Sequence, residues 1–257
     1  MPPFRPSRPV LASVLSLVAV GIPNLLPLRA RAEEAPKAIT KVVEVMETAA
    51  NERDLDELLD RYAEDFRHAD GLDVDTLGDN IQELWMRYPQ LTYDVELVNW
   101  QKTADGFEYE TITRIAGSGE RDGRTLQLQA TLQSRQQMRK GRIVSQAVLA
   151  EQTRVDLGDR QPDLRVNLPE TVAPGDQYSF DIIALDPLEA GALLGAAQEE
   201  PVSSASYLSN RALDLNILPA GGLYLVGVAP EEPGDLWLSA AIVQPGGITF
   251  IGRRLRV

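Results

Sequence analysis

The chain has 257 residues, of which 44% are hydrophobic and 25% are charged, and its formal net charge is −13. These proportions are ordinary for globular proteins, and the length allows one or two domains, each with its own core. The acidity argues against nucleic acid as a partner, because an acidic surface repels phosphate backbones. The absence of cysteine excludes disulfides, thiolate metal sites and lipid attachment to an N-terminal cysteine.

The first 32 residues have the pattern of a secretory signal peptide. Arg5 and Arg8 form a basic start, residues 10–20 are uncharged and apolar, and residues 30–32 read Ala-Arg-Ala. We therefore expect cleavage after Ala32 and a mature chain in the periplasm, in a lumen or in the medium. Cleavage removes four arginines and no acid, which changes the formal net charge from −13 to −17.

A rival interpretation extends the uncharged run to Leu28 and keeps it as a membrane anchor. Pro23, Asn24 and Pro27 interrupt that run, which favours a cleaved signal. No membrane span is then expected in the mature chain. Both interpretations place the remaining residues outside the cytoplasm.

Three amphipathic helices are predicted next, because apolar side chains recur every three or four residues. Pro36 opens the first helix, Asp54 and Glu57 form a capping box for the second, and Asp75 caps the third. The apolar positions are Ile39, Val42, Val43, Met46, Ala49 and Ala50 in the first, Leu55, Leu58, Leu59, Tyr62, Ala63 and Phe66 in the second, and Leu77, Ile81, Leu84, Trp85 and Tyr88 in the third.

After Pro89 the apolar period changes to two, which predicts a long antiparallel sheet. We expect a loop over Gly117–Gly123, and apolar and glutamine side chains alternating between the two faces of the third strand. The predicted strands are Leu91–Trp100, Phe107–Ile115, Thr125–Met138 and Ile143–Thr153.

Residues 38–153 resemble the nuclear transport factor 2-like, or SnoaL-like, superfamily. The matching features are Ala49-Ala50-Asn51-Glu52-Arg53-Asp54, Tyr62-Ala63-Glu64-Asp65-Phe66, His68 with Asp70-Gly71, Trp85 to Pro89, and the hairpin Gly123–Gln152. The resemblance implies three helices packed on the concave face of a curled sheet. It implies no single activity, since the superfamily includes isomerases, cyclases, dehydratases and non-enzymatic modules.

The C-terminal part is predicted to be all-β. Short strands are expected at Val166–Leu168, Tyr178–Leu185, Ala212–Leu218, Leu223–Val228, Leu236–Val243 and Ile248–Val257, separated by turn signals. Their spacing suggests a small β-sandwich, and residues 169–181 resemble the opening of bacterial immunoglobulin-like domains. Residues 188–201 are too rich in alanine and glycine to assign.

The predicted fold class is therefore an α+β cone, with three N-terminal helices on a curled antiparallel sheet, followed by an all-β sandwich domain. The domain boundaries follow the polar stretch after the last long strand. They are a signal peptide at 1–32, the nuclear transport factor 2-like domain at 33–155, a linker at 156–163 and the immunoglobulin-like sandwich at 164–257.

His68 is the only histidine and so has the only side chain whose ordinary pKa is near neutrality. At the mouth of the cone it would serve as a general base or bind a ligand, and otherwise it supports the end of the second helix. Four aromatic residues, Tyr62, Trp85, Tyr88 and Tyr109, either line a small-molecule pocket with His68 or belong to the core. Glu108 and Glu110 alternate with inward positions, so no catalytic pair of acids is predicted.

Neither a metal nor a cofactor is expected. The acidic residues between Asp65 and Asp79 lack the fifth and twelfth ligands of a helix-loop-helix calcium site, counted from Asp73. The outward row of Gln127, Gln129 and Gln133 suits solvent, a protein partner or a homodimer formed through the sheet. The C-terminal arginines Arg253, Arg254 and Arg256 either pair with acids of this chain or protect an edge strand.

Two functions fit these observations. The first is an exported, non-enzymatic binding or protein-interaction protein, whose ligand is a small hydrophobic molecule or another protein. The second is a SnoaL-like enzyme of isomerase, cyclase or hydrolase type, which acts on a small hydrophobic substrate in the cone with His68 as base. A purely structural envelope module without a pocket is a third interpretation.

Overall fold

A computed structural model describes residues 34–185, 194–207, 214–218 and 222–257. The predicted signal peptide at 1–32 and the first part of the predicted strand Ala212–Leu218 lie outside these residues. The helices are α1 (Lys37–Glu52), α2 (Leu55–Leu59) and α3 (Val74–Arg87). The strands are β1 (Tyr62–His68), β2 (Gln90–Lys102), β3 (Gly106–Arg121), β4 (Arg124–Arg139), β5 (Arg142–Gly158), β6 (Leu164–Asn167), β7 (Gln177–Ala184), β8 (Leu194–Pro201), β9 (Asn216–Ile217), β10 (Gly222–Val228), β11 (Leu236–Gln244) and β12 (Gly247–Leu255).

The first and third helices are amphipathic and bury one face each. Helix α1 follows Pro36 and is capped at its C-terminus by Arg53. The backbone of Arg53 is in the left-handed conformation, with φ of 60°, and its amide donates a hydrogen bond to the Ala49 carbonyl. Helix α3 begins after Asp73, which forms a capping box with Thr76, so the predicted cap at Asp75 is two residues too late. Within the described ranges, none of the helices has the length and apolarity needed to span a membrane.

The predicted second helix is mostly wrong. Asp54 caps a helix as expected, but α2 has only five residues, and the chain then enters strand β1. Tyr62 and Phe66 are buried four residues apart, a spacing that places two side chains on one face of a helix or of a strand. Strand geometry is stabilised here by parallel pairing with β5, in which Tyr62 lies opposite Ile143 and His68 opposite Gln146.

One nine-stranded sheet runs through the described part of the chain. Its order is β2-β3-β4-β5-β12-β11-β8-β9, with β1 joined to β5. Strand β5 pairs along its length with β4, near its start with β1, and over Gln152–Gly158 with β12. A second sheet has the order β10-β7-β6.

The predicted fold class, a three-helix cone followed by an all-β sandwich, is therefore wrong. Within the described ranges, only α1 and α3 are helices of more than two turns, and most of the described residues are in strands. The strands after residue 158 do not form a sandwich of their own, because β12 extends the first sheet by pairing with β5. The loop expected at Gly117–Gly123 is also absent, since β3 continues to Arg121 and only Asp122 and Gly123 turn the chain.

Two cores lie on opposite faces of this sheet. Tyr109 and Leu128 face the helices. Arg154 lies on the other face, and the residues paired with it on the adjacent strands, Gln129 and Ile251, point to that same face. Ile251 belongs to a core formed by β7, β10, β11 and β12, so the small sheet covers the face away from the helices. The large sheet is thus covered by helices in its first half and by strands, on the reverse side, in its second.

A buried polar group joins the two halves at the seam between β5 and β12. Asp156 is 5% exposed and accepts hydrogen bonds from Arg154, at 2.7 and 3.0 Å, and from the Thr249 hydroxyl at 2.6 Å. Thr249 on β12 is fully buried and lies opposite Asp156 in the register. The carboxylate therefore satisfies donors from both strands.

We predict that Asp156→Ala lowers the free energy of unfolding by about 2 kcal/mol, because it removes the carboxylate acceptor of the partly buried Arg154 and leaves the buried Thr249 hydroxyl without its acceptor. Urea denaturation of the purified chain measures this. Asp94→Ala is the matched control, since Asp94 pairs with Arg114 on the same sheet but its side chain is 70% exposed, and its loss should cost less than about 1 kcal/mol. If the two variants lose the same free energy of unfolding, the claim that the Asp156 hydrogen bonds stabilise the pairing of β5 with β12 is contradicted.

Candidate functional site

A cavity of about 210 Å³ lies between the helices and the inward face of strands β2 to β5. Residues of α1, α3, β1 and the sheet contribute to its wall. The lining residues are Val43, Met46, Ala50, Leu58, Tyr62, Leu77, Ile81, Trp85, Tyr93, Val95, Tyr109, Thr111, Thr113, Ile115, Leu132, Ser134, Gln136 and Gln146. The structure thus brings three of the five candidate pocket residues, Tyr62, Trp85 and Tyr109, to one cavity.

The other two candidates, His68 and Tyr88, are not among the lining residues. Tyr88 is the residue at which α3 ends, and it is buried with Trp85 and Leu91 in the core beside the cavity. Burial raises its pKa above the ordinary value. His68 lies in a separate ionic cluster at the end of β1.

Most of the cavity wall is apolar, and four of its polar side chains come from neighbouring positions on β3 and β4. Tyr109 lies opposite Gln136, and Thr111 lies opposite Ser134. Paired residues of adjacent strands point to the same side of a sheet, so these four side chains form two inward rows. The Gln136 Nε2 donates to the Thr111 hydroxyl at 3.1 Å, whereas the Gln136 Oε1 is buried and has no hydrogen-bond partner among the residues that the structure describes.

The tyrosines of the cavity stay protonated at neutral pH and can therefore donate hydrogen bonds. Burial raises the pKa of Tyr62 and of Tyr109 well above the ordinary value of 10, and the Tyr62 phenol raises that of Tyr109 further. The Tyr93 phenol is already engaged, because it accepts a hydrogen bond of 2.9 Å from the Trp85 Nε1. The lining side chains include no carboxylate, imidazole, amine or guanidinium.

The ionic cluster is centred on the guanidinium of Arg254 on β12, whose side chain is fully buried. It donates to both Asp70 oxygens, at 3.1 and 2.7 Å, and to Asp235 at 2.8 Å. Glu151 of β5 lies 3.6 Å away and accepts a hydrogen bond from the Trp237 indole. Burial raises the pKa of Glu151, although the arginine opposes this shift.

His68 is held in this cluster as a neutral imidazole. Its Nδ1 accepts a hydrogen bond of 3.1 Å from the Asp70 amide, which places the ring proton on Nε2. Burial lowers the pKa of His68 below 6.5, and the nearby Arg254 lowers it further, while Asp70 opposes both. The side chain is 2% exposed, and its hydrogen bond to the Asp70 amide supports the turn after β1.

Three of the acidic residues between Asp65 and Asp79 have separate structural contacts. Asp65 pairs with Arg139, Asp70 with Arg254, and Asp73 caps α3. Among the residues that the structure describes, no three His, Cys, Asp or Glu side chains are placed to hold a metal ion.

Thr111, Ser134 and Gln136 were not identified as cavity residues from the sequence, although a signal was present. Alternation places Leu126 and Leu128 inward, and the same period continued along β4 places Ser134 and Gln136 on that face. Alternation also assigns the acids Glu108 and Glu110 to the outer face. Glu110 does pair there with Arg135 at 2.7 Å.

Comparisons with known proteins show a distant likeness and no specific function. The family model of a domain of unknown function, DUF8623, matches residues 159–257. A search of the curated proteins found no match. Three similar solved structures are NTF2-like or SnoaL-like proteins. The first is an IdmH 96–104 loop truncation variant, with 20% identity over 42% of this chain and 89% of that chain and a TM-score of 0.31. The second is an NTF2-like protein of unknown function from Exiguobacterium sp. 255-15, with 16% identity over 43% of this chain and 95% of that chain and a TM-score of 0.30. The third is an M. tuberculosis LEH-like epoxide hydrolase, with 15% identity over 43% of this chain and 80% of that chain and a TM-score of 0.30.

We predict that the stabilisation contributed by His68 is lost on acidification. Because the folded pKa lies below the unfolded value, the unfolded chain binds the proton first as the pH falls through about 6.5. The comparison variant is His68→Asn, in which the amide oxygen can replace Nδ1 as acceptor. The wild type should exceed this variant in free energy of unfolding by less at about pH 5.5 than at about pH 7.5. Denaturation at each pH measures this, and a difference that grows on acidification would contradict it.

Proposed function

We propose that this protein is a non-catalytic binding protein that holds a small, uncharged and largely apolar molecule in the cavity between its helices and sheet. One observation carries the proposal: the wall combines apolar side chains with hydroxyl, phenol and amide groups and has no ionised side chain. Apolar walls with a few polar groups are the usual form of a small-molecule site. A charged ligand would lose its hydration there without a counter-ion.

The volume limits the size of the ligand. An apolar cavity of about 150 Å³ is known to admit one benzene ring. At about 210 Å³ this cavity is larger, so a molecule with two fused rings, or an aliphatic molecule of similar bulk, is the appropriate class.

Binding is favoured over catalysis by the position of the titratable groups. An enzyme with His68 as base needs that nitrogen within reach of the substrate. The Nδ1 of His68 instead accepts the Asp70 amide hydrogen, and the ring lies outside the cavity wall. The Tyr62 and Tyr109 phenols keep their protons at neutral pH, so they suit hydrogen bonding to a ligand rather than proton abstraction.

We also propose that binding takes place outside the cytoplasm. This rests on the signal-peptide pattern of residues 1–32 and on the absence of cysteine, which makes the fold independent of the redox state of the compartment.

Ala50→Leu tests the cavity as the binding site. Ala50 lies on α1 and lines the cavity, so a leucine there places additional carbon atoms inside it. We expect the wild type to bind naphthalene, and Ala50→Leu to bind it at least about tenfold more weakly, which corresponds to about 1.4 kcal/mol. Isothermal titration calorimetry measures both affinities.

Ala38→Leu is the matched control, because Ala38 is on the exposed face of the same helix. It should bind naphthalene as the wild type does. Thermal melting shows whether each variant is folded. A wild type that binds no naphthalene, or a folded Ala50→Leu variant with unchanged affinity, would contradict the proposal.

A further inference from the structure

The face of the large sheet that points away from the helices carries an open groove of about 500 Å³. One row of paired residues crosses it from β3 to β12, in the order Arg114, Thr131, Gln152 and Arg253. Residues paired across adjacent strands point to the same side of a sheet, so the four side chains line one surface. The groove is therefore polar, unlike the cavity on the other face.

The groove is also locally basic in an acidic chain. Three arginines line it, Arg114, Arg154 and Arg253, and Asp94 is the only acid among the described lining residues. Two of the three arginines have carboxylate partners. Arg114 pairs with Asp94 at 3.0 Å and with Glu96 at 2.8 Å, and Arg154 pairs with the buried Asp156.

Arg253 has no carboxylate partner within the described part of the chain. Its Nη1 donates to the backbone carbonyls of Gly252 at 2.8 Å and Thr153 at 3.3 Å, which hold the guanidinium in place. The Nε and Nη2 atoms have no hydrogen-bond partner among the described residues, and neither is a fully buried atom. One edge of the guanidinium, with two parallel N–H groups, is thus open to a ligand.

The pKa of Arg253 reflects the missing counter-ion. Burial lowers this pKa below the ordinary value, and the positive charge of Arg154 lowers it further. Arg114 and Arg254 differ, because the carboxylates that accept their hydrogen bonds raise their pKa values. An anion bound at Arg253 would supply the charge that the chain itself does not.

We propose that this groove binds a small hydroxylated monocarboxylate, and that the Nε and Nη2 of Arg253 hold its carboxylate by two parallel hydrogen bonds. The open edge of a guanidinium matches the two oxygens of a carboxylate. A single negative charge is favoured, since only Arg253 lacks a counter-ion and Asp94 repels a second charge. The exposed side chains of Gln129, Thr131 and Gln152 offer neutral donors and acceptors to the hydroxyl groups. The site is distinct from the proposed apolar cavity and does not depend on its ligand.

The test compares D-gluconate with sorbitol, which has the same carbon chain but an alcohol in place of the carboxylate. Isothermal titration calorimetry at constant ionic strength measures their affinities, because salt screens exposed charges. We expect the wild type to bind gluconate at least about tenfold more tightly than sorbitol, and Arg253→Gln to bind gluconate at least about tenfold more weakly than the wild type. Arg253→Lys keeps the charge but lacks the paired donors, so it should also bind more weakly. Inorganic phosphate, which has no hydroxylated frame, should bind the wild type more weakly than gluconate does.

Arg124→Gln is the matched control, because it removes the same charge from an exposed position of β4 outside the groove. It should bind gluconate as the wild type does. Gln129→Glu places a carboxylate at an exposed position of the groove and should weaken gluconate binding, which keeps the test decisive if Arg253→Gln does not fold. The inference is overturned if the wild type binds gluconate no better than sorbitol or phosphate. It is equally overturned if folded Arg253→Gln or Gln129→Glu binds gluconate with wild-type affinity.

Discussion

The buried guanidinium of Arg254 is the constraint on which the arrangement of this chain depends. A cation with no exposed surface is tolerated only when carboxylates surround it, because burial removes its hydration. The partners of Arg254 come from distant parts of the sequence: Asp70 follows β1, Glu151 lies on β5, and Asp235 precedes β11. The Trp237 ring lies 5.9 Å from the same group. One side chain of the last strand thus fixes the turn after β1 against the C-terminal strands.

The cluster also connects the C-terminal strands to the cavity. Strand β1 begins at Tyr62, which lines the cavity, and ends at His68, next to the turn that contains Asp70. Strand β5 contributes Gln146 to the cavity and Glu151 to the cluster. The cavity and the ionic cluster therefore share strands β1 and β5. The cavity has neutral polar groups, whereas the cluster has ionised groups.

Local patterns in the sequence were sufficient for the elements whose geometry is decided locally. The two-residue period predicted the long strands, and the helical spacing predicted α1 and α3, although the cap of α3 is Asp73 and not the predicted Asp75. The interval between Tyr62 and Phe66 was ambiguous, and the outcome was decided by pairing with Ile143 about eighty residues away, which no local pattern contains. The pairing of β12 with β5 is non-local in the same way, and missing it led to the incorrect prediction of a separate sandwich.

The candidate site was predictable only in part, for similar reasons. Aromatic residues with helical or strand spacing indicated the region of the cavity through Tyr62, Trp85 and Tyr109. His68 attracted attention as the only imidazole, but its environment depends on Asp70 and on Arg254, which is far away in sequence. Gln136 has no sequence signature, because glutamines also occupy the exposed face of the same strand. Its hydrogen bond to Thr111 on β3 beside the cavity is visible only in the folded structure.

The central claim is that the cavity holds a small uncharged molecule. The most direct measurement is the native mass of the mature protein, purified gently from its own source and then denatured. The account predicts one small-molecule increment per chain that is retained under native conditions and lost on denaturation. A native mass equal to a whole number of bare chains, or to chains plus another protein, would contradict it and would place the function on the surface.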